Sequence, residues 1–411
     1  MFTASYHKEV RTYRKETLRA VARASVSLQL IGMANIDLDL KLDGNSVQGY
    51  NVEVIGSSLR RTNSQPLLLP PNVMEEVQTA RNRHDRVLNT RLGQKLFSAL
   101  LPGPIRDIWF QSKGLSSTSV VRLRLDIRSH ELEKIPWELL HDDDRSPLSL
   151  TEKLPIVRFL HDSHRFVSQP SKAPLTVLLV TATPLDTPPL PGVVQEARGL
   201  CETLKRAGRS QVAKFQLIEH VTLRKLEAAL AADFNVLHFM GHGAFRHNRG
   251  FLILENQQGL AHWCEAETIG DMLRNQQSRL LTLSACETAV PSSDDFLIGV
   301  AHAAHKAGVP AVVAMQQPVL DTAALVFALA FYRDLSRGEP LESCVTEGRL
   351  AIKRALGNDD IEWAIPVLFS NLPLAELKQP TQGPTGTTIT NIGSPGATYI
   401  DKAGTVNFHK R

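Results

Sequence analysis

The sequence predicts an α/β protein with a mostly parallel sheet and helices on both faces, a β-rich N-terminal region and a short β-like C-terminal tail. Three observations predict it. From residue 174 onward, apolar runs alternate with amphipathic stretches, which is the pattern of repeated strand–helix units. The first run, Leu175 to Val180, is apolar without a break, as in a strand covered on both faces. Two later runs each end on a reactive residue. The strand over 235–240 leads into Gly241-His242-Gly243, and Leu280 to Leu283 leads into Ser284-Ala285-Cys286-Glu287-Thr288. In open parallel sheets, sites collect at the carboxyl ends of strands.

The elements follow in order. Residues 5 to 24 read as a helix with a basic face: Lys8, Arg11, Arg14, Lys15, Arg19 and Arg23. Ile36, Leu38, Leu40 and Leu42 alternate with polar residues, as do Val52 and Val54, so two half-buried strands are expected. Prolines interrupt 64–73. Val87, Leu88, Leu92, Leu96, Phe97 and Leu100 share one face of a helix over 84–101. Val121, Leu123 and Leu125 mark another strand, which leads into Ile135-Pro136-Trp137-Glu138-Leu139-Leu140. Beyond 174 the pattern predicts strands at 175–180, 212–218, 235–240, 251–255, 280–283, 309–315 and 365–369. Helices are expected at 192–206, 222–232, 266–277, 295–307, 321–336 and 340–356. Residues 379–388 form a Pro/Gly/Thr linker, and β-like pieces follow at 388–392, 397–400 and 405–408. Four parts are therefore expected, 1–80, 81–170, 171–376 and 377–411. The last is too short for a core of its own, and is expected either to be disordered or to dock by strand pairing.

Composition narrows the class. Of 411 residues, 43% are hydrophobic and 21% charged, as in ordinary globular proteins. The net charge of +4 is too balanced to imply direct nucleic-acid binding. No apolar run reaches the ~20 residues of a membrane span. The charged start MFTASYHKEVRTYRKE is unlike a secretory signal, so a cytoplasmic location with reduced thiols is expected. There is no G-x-S-x-G elbow and no G-x-x-x-x-G-K-[ST] loop, which removes the central parts of serine hydrolases and P-loop NTPases.

The chemistry points to cysteine. Cys286 supplies a candidate nucleophile and His242, 44 residues earlier, its proton carrier. The amides of Gly243 and Cys286, expected on turns just past strand ends, are candidate oxyanion donors. His238 is expected to be a hydrogen-bonded core histidine, and His247 a loop residue. His302 and His305 have a metal-compatible helical spacing but no third ligand, so no metal and no cofactor are expected. Cys201, Cys264 and Cys344 are expected to be packed thiols.

LHFMGHGAF and LLTLSACETA together resemble the CHAT family, relatives of caspases and separases among caspase-like cysteine peptidases. IPWELL at 135–140, PIVRFL at 155–160, LLVTATP at 178–184 and AHAAHKAGVPAVVAMQQPVLD at 301–321 are similar to further family segments, over roughly 90–375. The resemblance implies a caspase-like fold, with 81–170 as a pseudo-caspase-like half and 171–376 as the catalytic half. It implies a His242–Cys286 dyad in an endopeptidase. In caspases the histidine precedes the cysteine by about 50 residues. It also implies a specific protein substrate and a role as effector in a bacterial conflict or antiphage system, under a sensor or activator such as an NTPase. The other reading is a non-enzymatic scaffold with a vestigial dyad. Asp294, Asp295 and Asp321 are candidates for binding a basic P1 side chain, against the plainer readings of loop carboxylates and, for Asp321, a helix N-cap. Glu138 and Arg158 are expected to make a structural polar contact between the halves.

Overall fold

The computed structural model describes residues 35–57, 59, 61–116, 119–142, 146–160, 175–207, 212–232, 234–247, 249–275, 278–285, 296–317, 319–357, 359–372, 388–391, 398–400 and 406–408. The basic helix expected at 5–24 and the linker at 379–387 lie outside them.

The alternation of Ile36, Leu38, Leu40 and Leu42 becomes an alternation of burial along β1 (Ile36–Asn45), which pairs antiparallel with β2 (Gly49–Ser57) and through it with β3 (Gln65–Leu67). The next stretch holds more helix than expected: α1 (Val73–Arg83), α2 (Arg86–Leu100) and α3 (Pro104–Lys113). Asp85 sets the first boundary, because its carboxylate accepts from the Val87 and Leu88 amides and caps α2. His84, at φ 46°, ends α1 just before it. There follow β4 (Val121–Ile127), α4 (His130–Glu133), β5 (Ile156–Arg158), β6 (Leu175–Thr181), α5 (Pro191–Arg206), β7 (Val212–Ile218), α6 (Leu223–Leu230) and β8 (Val236–Arg246). Next come β9 (Arg249–Glu255), β10 (Ala261–Glu265), α7 (Ala266–Asn275), β11 (Leu280–Ala285), α8 (Phe296–Lys306), β12 (Ala311–Met315), α9 (Asp321–Leu335), α10 (Leu341–Leu356) and β13 (Pro366–Ser370). The tail contributes β14 (Thr388–Asn391), β15 (Thr398–Ile400) and β16 (Val406–Phe408).

One sheet runs through the chain in the order β16-β15-β14-β7-β6-β8-β11-β12-β13-β5-β4-β1-β2-β3. From β7 to β12 all neighbours are parallel. β13 is antiparallel to β12, and β5, β4 and β1 are parallel to β13. Two parallel blocks of opposite direction therefore meet at the β12–β13 pair. The expected α/β class with a mostly parallel sheet holds. In the tail, β14 adds parallel to β7, with Thr388 opposite Lys214 and Asn391 opposite Leu217. No described helix is long and apolar enough to cross a membrane.

The blocks are also joined by a buried polar cluster. Arg158 points both arms of its guanidinium at Glu138, with Nη2–Oε2 at 2.9 Å and Nε–Oε1 at 3.3 Å. It also donates to the carbonyls of Glu133 and Ile135 and to Gln316 Oε1 at 3.0 Å. Gln316, just past β12, donates to Glu138 Oε2 and to the Ala364 carbonyl. The expected Glu138–Arg158 contact is thus an ion pair with both partners out of water. The ion pair loses solvation on burial, which its hydrogen bonds offset, so its value lies in fixing geometry. Trp137 packs fully buried beside it, its indole N–H on the Leu132 carbonyl at 2.9 Å.

Two outcomes follow from this architecture. Arg158→Ala strands the Glu138 carboxylate in the core and is expected to cost about 3–5 kcal/mol in urea unfolding at pH 7. Deleting residues 379–411 bares the β7 edge, and light scattering should then show self-association at concentrations where the full chain scatters as one species.

Candidate active site

β8 changes partner halfway along, and this creates the site. Up to Met240 it lies between β6 and β11 in parallel register. From His242 to Arg246 it pairs antiparallel with β9, His242 opposite Ile253 and Gly243 opposite Leu252. The sequence places Gly241-His242-Gly243 on a turn past a strand ending at 240. The structure corrects this: the strand runs on to Arg246, because β9 takes over the backbone hydrogen bonds where β6 ends. Gly241 is required by close approach, since a Cβ there would lie 2.8 Å from the Phe239 ring and 2.9 Å from the Ala182 carbonyl. β11 stays paired with β8 to its last residue, Ala285 opposite Gly241. Cys286, Asp294 and Asp295 lie outside the described residues.

His242 is fully buried, and its Nε2 lies 2.7 Å from the carbonyl oxygen of Pro188, in the segment leading into α5. A carbonyl only accepts, so Nε2 carries the proton in this contact. A neutral His242 then keeps its basic lone pair on Nδ1. The ring is thus fixed in one tautomer by the backbone.

Beneath it lies a buried polar network that the sequence reading missed. His238 is a core histidine, as expected, with Nδ1 3.1 Å from the Tyr332 hydroxyl and Nε2 3.2 Å from Glu196 Oε1. The other Glu196 oxygen accepts from Ser284 Oγ at 2.7 Å. Tyr332 also reaches Thr282 Oγ1 at 3.4 Å, and burial raises its phenol well above the usual range. A signal for Glu196 was present: it shares the apolar face of α5 with Val193, Ala197, Leu200 and Leu204, and a carboxylate on such a stripe needs a partner.

The other candidates fall as follows. Asp321 opens α9 but is not its N-cap, which is Leu320. Its carboxylate packs against Gly192 at the start of α5, where a Cβ would come 2.5 Å from Cγ. His247, at φ 50°, sits at the β8–β9 turn. His302 pairs with Glu133 at 2.5 Å and stacks on Phe369. His305 is buried between the Val309 carbonyl and Asn371. Among the described residues no group of three metal-ligating side chains forms. Burial, helped by nearby carboxylates, pushes the Cys201 thiol up to about 12, Cys264 to about 11, and Cys344 well above its ordinary value. Burial thus disfavours the thiolate form of all three.

The fold defines an α/β protein with a mostly parallel central sheet. The CHAT domain family model matches residues 90–371, and the chain belongs to this family. Among solved structures it is similar to Saccharomyces cerevisiae separase, in a separase–securin complex, at 13% identity and TM-score 0.48, over 82% of this chain. It spans only 30% of the separase chain. It is also similar to the Arg-specific cysteine proteinase gingipain R (RgpB), at 11% identity and TM-score 0.41, over 72% of this chain and 75% of that one. A comparison with curated proteins returns no match.

The Glu133–His302 contact carries a pH dependence. Burial alone would raise the Glu133 carboxyl, but hydrogen bonds from His130 and His302 and the charge of Arg158 outweigh it and hold the group at about 2. Its folded value lies below its ordinary 4.5, so its contribution is present above pH 4.5 and lost as the pH falls toward 2. That contribution is about 3 kcal/mol. Urea midpoints measured across this window should fall less steeply in Glu133→Gln than in the wild type.

Proposed function

We propose that this chain is a regulated cysteine endopeptidase acting through a His242–Cys286 dyad. The observation that carries the reading is the register of Ala285 opposite Gly241. Cys286 follows Ala285 in the sequence and His242 follows Gly241, so this register supports a reading in which thiol and imidazole act together. In this mechanism Nδ1 of His242 takes the thiol proton while Nε2–H stays on the Pro188 carbonyl. The thiolate attacks the scissile carbonyl and a tetrahedral oxyanion forms. Its collapse breaks the C–N bond, and the Nδ1 proton goes to the leaving amine. Water, deprotonated by the same imidazole, then hydrolyses the thioester and restores the thiol.

The amides of Gly243 and Cys286 are the oxyanion donors in this proposal. The β8–β9 register supports the first. Arg246 and Arg249 flank a two-residue turn, and alternation from that pair makes Gly243–Leu252 a non-hydrogen-bonded pair. The Gly243 N–H then faces away from β9. Asp321, at the start of α9 and packed against Gly192 in the helix whose lead-in holds His242, is a binder for a basic P1 side chain in this proposal, together with Asp294 and Asp295.

The full burial of His242 supports regulation, since substrate entry requires a segment to move. The resemblance to the family supplies the setting: one specific protein substrate, release by a sensor such as an NTPase, and a role in bacterial conflict or antiphage defence, in the cytoplasm. The docked tail is an element such a sensor would displace.

Cys286→Ala and His242→Ala are each expected to abolish cleavage of candidate partner proteins, a loss of at least about 10³-fold. Wild-type rates in both variants would reject the dyad.

A further inference from the structure

We propose that Glu196 is a positioning residue for the dyad: its buried carboxylate ties the end of the nucleophile strand to the strand that carries the histidine. The inference rests on the peptidase reading of His242 and Cys286 and adds to it the residue that sets their relative placement.

Three contacts converge on one helix. Glu196 Oε2 accepts from Ser284, two residues before Cys286. Glu196 Oε1 faces His238, four residues before His242. The segment leading into the same α5 provides the Pro188 carbonyl that holds His242. A shift of α5 would therefore move both strand ends.

The Ser284 bond lies where the backbone ladder thins. β11 pairs with β12 only as far as Leu283 opposite Ala314, whereas its pairing with β8 continues to Ala285. At Ser284 the strand has lost one neighbour, and the side-chain bond to Glu196 supplies a second fixed point. Packing alone does not account for a charge there. Glu196, Ser284 and His238 are at most 5% exposed, and the rest of that helix face is aliphatic. Burying a carboxylate is costly unless it is hydrogen-bonded, and an apolar residue would fill the space without that cost. Glu196 does not touch the reacting atoms. It acts through Ser284 and His238, and small displacements of reacting groups cost rate steeply.

The test is alkylation of Cys286 by iodoacetamide in the full chain, located by mass spectrometry and followed from pH 5 to 9. Cys201, Cys264 and Cys344, with their thiols raised by burial, report little over most of that range. Glu196→Ala and Ser284→Ala are expected to slow alkylation of Cys286 roughly tenfold and to move its pH profile toward that of an ordinary thiol. Circular dichroism should show both variants folded. Glu196→Gln, which keeps a carbonyl oxygen for Ser284, should retain most of the wild-type rate. A purely structural role would lower stability and leave the pH profile in place. Folded Glu196→Ala and Ser284→Ala proteins that react within twofold of wild type, with an unchanged profile, overturn the proposal. If Glu196→Ala does not fold, Ser284→Ala decides, because it removes one hydroxyl and leaves the carboxylate beside His238. Failure of the peptidase reading is visible separately, as a wild-type profile that does not respond to His242→Ala.

Discussion

The parallel register between β8 and β11 is the constraint on which the site depends. Leu280 stands opposite Val236, and the pairing proceeds without a shift to Ala285 and Gly241. A slip of one residue in a strand reverses every side chain on it. Here that would turn Leu281 and Leu283, fully buried, to the opposite face and would move Ala285 from its place opposite Gly241. The core thus sets where the strand ends fall, because burial on both faces holds these two strands in one register.

Around that register the molecule uses polar groups where apolar ones would serve stability better. Arg158 and Glu138 hold the seam between oppositely directed blocks, and Arg122 links Asp37 on β1 to Glu342 on α10 at 2.6 and 2.8 Å. Glu196 does the same between α5, β8 and β11. Each group fixes an orientation that aliphatic packing leaves loose. Arg349 shows the cost: it is fully buried on the Pro366 carbonyl, and burial pulls it down to about 10 even with Glu138 nearby.

Much of this was legible in the sequence, because periodicity reports burial directly. The helices over 192–206, 321–336 and 340–356 appear within a residue or two of their expected bounds. What periodicity missed has physical reasons. α1 carries few apolar residues, and α3 begins at Pro104, beyond a helix expected to stop at 101. β10 buries only Cys264 among its five residues, so it leaves no alternation to read. Gly241-His242-Gly243 looks like a turn because glycines weaken strands, yet here one of them is demanded by the Phe239 ring. The Glu196 network joins residues 42 and 88 positions apart, and no local pattern encodes that pairing.

The reversal of direction at β12–β13 gives the sheet two sets of carboxyl ends. Those of β6, β8 and β11 lie on the edge with His242. Those of β4 and β5 lie on the opposite edge, where the chain continues into Arg128, Ser129 and α4. Loops that follow the N-terminal strands therefore grow away from His242. They can lengthen without crowding the edge that carries His242. In this architecture one face of the molecule is free to vary while the other is held to a fixed register.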